Sequence, residues 1–339
     1  MNKSRLAVAS LTLALTLTAC RDSGSKRAAG DAGKTLTIAV IPKGTTHEFW
    51  RSIHAGAEKA AQELAASGDS VQIIWKGPLR EDDREQQVQV VEGFTSQGVS
   101  GIVLAPLDNR ALVRPVEEAK SAGVPTVIID SGLESDQIVS FVATDNYKGG
   151  ELCAERLGSV LNGRGKVLVL RYQEGSASTT EREKGFIDKM KSAYPNITIV
   201  SSDQYAGATR ETAKRTSENL LNRFGGDLAG IFTPNESSTV GMLLALQDID
   251  KAGKVRFVGF DASQTLLDAM RAHQLDGVAV QDPVKMGYLG VKTMVAHLHG
   301  QPVEKRIDTG VALVTPETME QPAMKELTNP PIDKYLKGE

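Results

Sequence analysis

Polar side chains directly follow four short apolar runs in this chain. The runs end on Asp130, Asn235, Asp261 and Gln281. Ligands of open parallel sheets bind just beyond the carboxyl ends of the strands, so these four side chains are candidates for one site. None of the four is a nucleophile with a base beside it. The pattern therefore predicts hydrogen bonding to a hydroxyl-rich ligand.

Motifs typical of enzymes and metal sites are missing from the sequence. Gly165-Lys166 precedes a predicted strand instead of opening a helix, so it is not a phosphate-binding loop. The chain contains no HExxH, CxxC or GxSxG motif. His297 and His299 would point to different faces of a helix, which disfavours a shared metal. We therefore expect no catalytic residue, no metal ligand and no cofactor.

Length and charge limit the possible classes of protein. The 339 residues exceed the usual size of one domain, so two domains are expected. A net charge of -3 and a pI near 6.0 provide no general basic surface, and we expect no nucleic-acid partner.

The first nineteen residues have the pattern of an export signal. Lys3 and Arg5 precede an apolar stretch, residues 6–19, that is too short to span a membrane comfortably. The stretch leads into Leu-Thr-Ala-Cys, which resembles the bacterial lipoprotein box, where the cysteine, here Cys20, is lipidated and becomes the new N-terminus. An ordinary signal peptide with an incidental cysteine is the alternative. Lipidation would leave Cys153 without an intrachain partner, which excludes a disulfide framework.

A flexible tether is predicted after the lipidated residue. Residues 20–34 are rich in Gly, Ser, Ala and charge and lack apolar periodicity. The folded body should begin near Thr35, and no later segment is long or apolar enough to span a membrane. We therefore expect an exported protein on the periplasmic or extracytoplasmic side that contacts a membrane only through its lipid anchor.

From Thr35 onward, predicted strands and helices alternate, which indicates an α/β protein with parallel sheets covered on both faces. The strands are predicted at 36–41, 71–75, 102–104, 126–129, 166–170, 197–201, 228–232, 256–260, 277–280 and 307–314. The helices are predicted at 49–66, 84–95, 111–122, 147–161, 181–193, 209–221, 237–251, 263–272 and 285–298. The series divides into two lobes.

Six segments together resemble the ribose/galactose type of periplasmic sugar-binding proteins, the solute receptors of ATP-driven importers. They are GIVLAP at 101–106, GVPTVIID at 123–130, ATDNYKGG at 143–150, EREKGF at 181–186, NE at 235–236 and VGFD at 258–261. Each segment is weak alone, but they follow the family's order and spacing, and the resemblance extends from Thr35 to about Val314.

The resemblance implies a type I periplasmic binding protein fold. Two doubly wound parallel-sheet lobes would be joined by a three-segment hinge and would close on the ligand. Lobe one would comprise residues 35–143 and 282–310, and lobe two would comprise residues 144–281 and 311–339.

The same resemblance implies roles for the polar candidates. Asp130 and Asp261 would accept hydrogen bonds from sugar hydroxyls, and Arg182 would donate a planar fork to sugar oxygens. Asn235 and Gln281 each offer a donor and an acceptor, which matches a hydroxyl. A helix N-cap is the alternative role for an aspartate that follows a strand, as Asp261 does.

Four further positions bear on which sugar would bind. Phe49 and Trp50 lie where the family places aromatic rings against the apolar face of the sugar, although Phe49 could instead be a core residue of its helix. His47 replaces a frequent asparagine and is either a ligand donor or a solvated loop residue. Ser131 stands where the ribose type has an arginine, which removes one cationic donor. These departures leave the identity of the sugar open.

The leading hypothesis is a lipid-anchored, monomeric receptor that captures a neutral monosaccharide and delivers it to an ABC permease of the inner membrane. The alternative is a receptor that presents its ligand to a membrane chemoreceptor or sensor kinase, because both kinds of partner would recognise the same closed surface. A LacI-like regulator is disfavoured because the N-terminal segment is a signal and tether, not a helix-turn-helix. An enzyme on this scaffold would need a nucleophile, base or metal cluster that the sequence lacks.

Overall fold

The computed structural model of the protein describes residues 35–336, so the predictions for the export signal, Cys20 and the tether lie outside the described residues. Twelve strands occur within that range: β1 Leu36–Ile41, β2 Val71–Trp75, β3 Gly101–Leu104, β4 Thr126–Ile129, β5 Phe141–Ala143, β6 Arg164–Val169, β7 Asn196–Ser201, β8 Leu228–Phe232, β9 Arg256–Phe260, β10 Gly277–Gln281, β11 Arg306–Asp308 and β12 Val311–Val314.

Ten α-helices lie in the same described range. They are α1 Glu48–Ala66, α2 Arg84–Gln97, α3 Val113–Ser121, α4 Asn146–Val160, α5 Ala177–Ala193, α6 Arg210–Phe224, α7 Glu236–Asp248, α8 Gln264–Arg271, α9 Pro283–Leu298 and α10 Pro322–Thr328. None of the helices between residues 35 and 336 is long and apolar enough to cross a membrane.

The strands form two six-stranded sheets with the same order. Sheet one runs β2-β1-β3-β4-β5-β11 and is entirely parallel. Sheet two runs β7-β6-β8-β9-β10-β12, and only its last pair, β10 with β12, is antiparallel. In each sheet the order reverses beside the first strand, and ligands bind at such switch points. The predicted fold class, two doubly wound α/β lobes, is confirmed.

Helices cover both faces of each sheet. On sheet one, α1 and α9 contribute to one hydrophobic core, and α2 and α3 contribute to the other. On sheet two, α6, α7 and α8 pack on one face, and α4 and α5 pack on the other. Central strands such as β3 and β4 are buried along their whole length, as expected for parallel strands between two helical layers. We call sheet one with its helices lobe one, and sheet two with its helices lobe two.

The chain passes between the lobes three times: between β5 and α4, between β10 and α9, and between β11 and β12. The last passage corrects one prediction, because residues 307–314 are not a single strand. Residues 306–308 pair with β5 of sheet one, whereas residues 311–314 pair with β10 of sheet two. Gly310, at a φ of 88°, interrupts the extended backbone between them. The break coincides with the polar segment Asp308-Thr309-Gly310, which the prediction of one strand had included.

Close helix pairs in both lobes depend on glycine. In lobe two, a Cβ added to Gly150 of α4 would lie 2.0 Å from the Arg182 carbonyl oxygen of α5, and one added to Gly185 would lie 2.1 Å from the Tyr147 carbonyl oxygen. Such distances are far below van der Waals contact. The spacing of α4 and α5 therefore requires glycine at these positions, and Arg182 is carried on one member of this pair.

We expect Gly150→Ala to lower the free energy of unfolding by about 1–3 kcal/mol, because the added methyl group meets backbone atoms that cannot move aside individually. Urea denaturation followed by circular dichroism measures this change. Gly93→Ala is the matched control, since Gly93 is also in a helix but an added Cβ there would meet nothing within 4 Å. The control substitution should leave the free energy of unfolding unchanged or raise it by about 0.5–1 kcal/mol. Equal effects of the two substitutions would contradict the close packing of α4 on α5.

Candidate functional site

A cavity lies between the two lobes at the carboxyl ends of their strands, and both lobes contribute side chains to it. From lobe one it is lined by Lys43, His47, Phe49, Trp50, Glu81 and Asp130. From lobe two and the end of β10 it is lined by Tyr172, Ser178, Thr179, Arg182, Asn235, Glu236, Ser237, Asp261 and Gln281. Eight of the nine predicted ligand residues therefore meet in one place. Ser131 is the exception, and its contact with a ligand stays a prediction.

Asp130 follows β4 directly and is buried with a positive φ of 61°. Its Oδ2 lies 2.8 Å from Nζ of Lys43, which follows the end of β1 and is 4% exposed. A buried carboxylate requires such a partner because its isolated charge would be strongly unfavourable away from water. Lys43 thus places a cation beside Asp130, although Ser131 has replaced the arginine expected next in the sequence.

Contacts around Ser178 connect this corner to the other lobe. Lys43 Nζ donates to Ser178 Oγ at 3.2 Å. The Ser178 amide donates to Ser131 Oγ at 3.0 Å. Ser131 is 1% exposed and acts in this structure as an acceptor between the lobes. The residue therefore stabilises the closed arrangement directly.

Asp261 occupies the corresponding position after β9, with a φ of 64°. Gln281 Nε2 donates to its Oδ1 at 2.7 Å, and the Glu236 amide donates to its Oδ2 at 3.2 Å. Arg182 Nη1 lies 3.9 Å from the same Oδ2. Burial raises the pKa of Asp261 in spite of Arg182 and Gln281, which lower it, and the negative charge of Asp130 raises it further. Ser263, not Asp261, is the N-cap of the following helix.

Arg182 is held rigidly beside Asp261. Its Nε donates to Asn146 Oδ1 at 2.8 Å, and its Nη1 donates to the Pro234 carbonyl oxygen at 2.9 Å. The guanidinium carbon lies 3.9 Å from the centroid of the Phe260 ring, a cation–π contact. These hydrogen bonds use Nε and one hydrogen of Nη1. The other N–H donors of the rigidly held guanidinium remain available to oxygen atoms in the cavity.

Asn235 serves as the N-cap of α7 within a capping box. Its Oδ1 accepts from the Ser238 amide at 3.4 Å, and its Nδ2 donates to Ser237 Oγ at 3.1 Å. The capping role that we considered for the strand-end aspartates therefore belongs to this asparagine. Because the cap uses the amide oxygen, the Nδ2 group is the part of Asn235 best placed to donate to a ligand.

Glu81 is a central acceptor that the sequence analysis did not identify. Trp50 Nε1 of lobe one donates to its Oε1 at 2.8 Å, and the Tyr172 hydroxyl of lobe two donates to its Oε2 at 2.7 Å. Gln173 Nε2 donates to the Glu81 carbonyl oxygen at 2.9 Å. Glu81 thus holds the Trp50 ring in place and is hydrogen-bonded to two residues of the opposite lobe, Tyr172 and Gln173. Phe49 meets Trp50 edge to face, with ring centroids 5.0 Å apart.

His47 lies between two carboxylates from different lobes. Its Nε2 is 3.6 Å from Glu81 Oε1, and its Nδ1 is 3.4 Å from Glu236 Oε2. Burial lowers the pKa of His47, but the neighbouring Glu236 and Glu81 raise it more, so its pKa is above the ordinary value. Glu236 also pairs with Arg210. Burial raises the pKa of Glu236, but the neighbouring His47 and Arg210 lower it more, so it lies below the ordinary value. His47 is therefore part of the interface between the lobes.

Two observations on the described residues bear on metal binding and on nucleophilic chemistry. Residues 35–336 contain no cluster of three or more His, Cys, Asp or Glu side chains arranged to hold a metal ion. Cys153 is buried, and burial raises the pKa of its thiol to about 12, so it is a poor nucleophile at neutral pH. Most polar side chains of the cavity are engaged in hydrogen bonds and ion pairs with one another.

Comparisons with known proteins agree with this geometry. The periplasmic binding protein domain family matches residues 38–302. The ribose import binding protein of Bacillus subtilis is 30% identical over 319 residues, which cover 93% of this chain and 99% of the relative.

Solved structures give the same result. A carbohydrate transporter solute-binding protein from Agrobacterium radiobacter, in complex with D-arabinose, is 33% identical with a TM-score of 0.82, covering 87% of this chain and 99% of that one. An ABC transporter solute-binding protein from Agrobacterium vitis with bound D-fucose is 35% identical with a TM-score of 0.81, covering 86% and 99%. The chain therefore belongs to the periplasmic binding protein family and has the type I, two-lobed form of its fold.

Proposed function

We propose that this protein is a solute-binding receptor that captures a neutral monosaccharide between its lobes and delivers it to an ABC-type importer. The observation that carries the proposal is the cavity in which Asp130 of lobe one and Asp261 of lobe two line the same space. A ligand that hydrogen-bonds to both must hold the lobes together. The relatives support a sugar, since their names and bound ligands include ribose, D-arabinose and D-fucose.

Charge balance in and around the cavity favours an uncharged ligand. The acidic side chains are Glu81, Asp130, Glu236 and Asp261, and the basic ones are Lys43, His47, Arg182 and Arg210. Each acid has a basic or hydrogen-bond-donating neighbour, so no cationic cluster is left to compensate a phosphate or carboxylate. A phosphorylated ligand would bring two negative charges into a region where Asp130 and Asp261 already face it. A polyol needs only the donors and acceptors that are present.

We further propose that the receptor works as a monomer outside the cytoplasm, attached by a lipidated Cys20, and that its partner is an inner-membrane permease. The family supports an extracytoplasmic location, and the sequence pattern of residues 1–20 supports the anchor. The function proposed here is binding and transfer without catalysis, because the cavity side chains are positioned by one another and not around a reactive group. The three passages between the lobes act as the hinge in this proposal.

Replacing either aspartate with asparagine should weaken sugar binding. Asp130→Asn and Asp261→Asn each remove a charge-assisted acceptor, and we expect roughly tenfold to a hundredfold losses in affinity. Calorimetry against a panel of pentoses, hexoses, deoxysugars and inositols identifies the ligand with the native protein and then measures both variants. The control is Asp136→Asn, an exposed aspartate of lobe one whose replacement should change affinity less than twofold. The proposal fails if no member binds, or if both variants bind the identified sugar like the native protein.

Gly175 tests whether direct contacts between the lobes contribute to closure. Its carbonyl oxygen accepts from the Asn109 amide at 3.0 Å, and a Cβ added there would lie 2.2 Å from Asp108 Oδ2 of lobe one. We expect Gly175→Ala to disfavour the closed form and to weaken sugar binding several-fold without touching the ligand. X-ray scattering should show a larger radius at a given sugar concentration.

The matched control for Gly175→Ala is Gly123→Ala. Gly123 has a similar positive φ, 81° against 89°, but an added Cβ there would meet nothing within 4 Å. Both substitutions place a side chain at a similar positive φ, and the clash with Asp108 of the other lobe is specific to Gly175. If the two variants bind sugar equally well, the clash with Asp108 does not oppose closure.

The anchor has its own test. In cells, we expect Cys20→Ser to abolish the incorporation of a fatty-acid analogue into the exported protein, since the substitution removes the thiol that would be acylated. Metabolic labelling with the fatty-acid analogue, followed by isolation of the protein, measures this loss. Cys153→Ser is the control. It should leave labelling intact, because Cys153 is buried in the fold. Labelling of the Cys20→Ser protein would contradict lipidation at this residue.

A further inference from the structure

A second chamber adjoins the sugar cavity on the side of the hinge. It is lined by the first turns of α1, by the junction of β10 with α9, and by residues 327–334, which we call the tail. Phe49, Asp261 and Gln281 line both the chamber and the sugar cavity. The two spaces therefore share a wall, and an occupant of one lies next to the other.

The tail borders the outer side of this chamber, which is partly open to solvent, and contacts both lobes. At its start, Leu327 packs against the core of lobe two. Toward its end, Asp333 Oδ1 lies 3.6 Å from Arg51 Nη2 of α1. Just beyond the tail, the Tyr335 carbonyl oxygen accepts a hydrogen bond from Gln62 Nε2 of the same helix at 3.4 Å. The tail thus forms one wall of the chamber, and α1 and the junction of β10 with α9 form the others.

An unpartnered acceptor marks the shared wall. Gln281 is 2% exposed, and its Oε1 has no hydrogen-bond partner among the described residues. The orientation of the amide is fixed, because Asp261 Oδ1 can only accept and Nε2 must therefore face it. A buried acceptor without a partner is costly, and a ligand hydroxyl at this junction would satisfy it.

The size and chemistry of the chamber suit carbohydrate. Its volume is about 540 Å³, within the range of roughly 300–1,000 Å³ that is usual for small-molecule sites. The apolar surface of Phe49, Pro331 and Ile332 alternates with the polar groups of Ser52 and Asn329. Sugars likewise combine an apolar face with a rim of hydroxyls, so a second sugar unit or an alkyl substituent finds both kinds of contact there.

We propose that the chamber is a subsite for a substituent on the bound sugar, so that the receptor accepts a glycoside, disaccharide or other O-substituted sugar as well as the free monosaccharide. This inference rests on the proposed function, since it needs a sugar in the main cavity. It adds that one hydroxyl of that sugar points past Phe49 and Gln281 toward the tail. Substitution at that position is tolerated, whereas substitution elsewhere meets the closed walls of the main cavity.

The test uses the monosaccharide identified by the sugar panel and its complete set of mono-O-methyl ethers, including both methyl glycosides, followed by disaccharides extended from any tolerated position. With the native protein, we expect one ether to bind within about tenfold of the parent sugar and the other ethers to lose more than a hundredfold. If the parent sugar binds but every ether loses more than a hundredfold, the subsite is refuted and the proposed function stands. If no sugar binds at all, both proposals fail.

Variants of the tail then locate the substituent. Thr328→Trp should fill the chamber, weakening the tolerated ether or disaccharide more than tenfold while changing the affinity of the parent sugar less than threefold. Thr95→Trp is the matched control, because both threonines are half-buried, lie in the last turn of a helix and donate from Oγ1 to the carbonyl oxygen four residues earlier at 2.9 Å. Asn329→Trp, at an exposed chamber position, gives the same comparison if Thr328→Trp does not fold. Equal losses for the parent and substituted sugars would overturn the subsite.

Discussion

The closed arrangement of this receptor depends on the hydrogen bonds that the carboxylate of Glu81 accepts from both lobes. It accepts one hydrogen bond from Trp50 of its own lobe and one from Tyr172 of the other lobe, and it is only 9% exposed. A carboxylate is stable in such surroundings only while donors surround it. If the lobes separate, Glu81 loses the Tyr172 hydroxyl and water must replace it. The position of the Trp50 ring and the closure of the cleft are therefore linked through one side chain.

The two lobes repeat one arrangement at the ligand site. Asp130 follows the fourth strand of sheet one and Asp261 follows the fourth strand of sheet two, with φ angles of 61° and 64°. Aspartate tolerates this left-handed backbone better than most residues. In both places the turned backbone aims a carboxylate into the cleft and a cationic side chain, Lys43 or Arg182, lies beside it. The repeated topology thus explains why acidic groups meet from opposite sides.

Sequence reasoning was most successful where one physical rule sufficed. Alternating apolar runs and helical patterns gave the two-lobed α/β class, and the strand-end rule placed Asp130 and Gln281 in the cavity. The same rule, applied to the end of β1, would also have found Lys43, but at the end of β6 it selects Arg171 instead of the neighbouring Tyr172. Glu81 has no comparable signal, because it lies in the loop after β2 and its role comes from residues distant in the sequence. Contacts between lobes depend on tertiary packing and so have no local pattern.

The direct contacts between the lobes also contribute to the sugar affinity that an experiment measures. Tyr172 with Glu81, Lys43 with Ser178, and the Asn109 amide with the Gly175 carbonyl oxygen all favour closure without a ligand atom. The measured affinity is therefore the product of an intrinsic affinity and the fraction of protein able to close. A receptor that closes too readily gains little discrimination from its ligand, whereas one that closes reluctantly binds weakly. Burying Asp261 and Asp130 in one cavity opposes closure, because their charges repel and the pKa of Asp261 rises. A bound sugar that donates hydroxyls to both carboxylates removes part of this cost, which makes closure depend on the ligand.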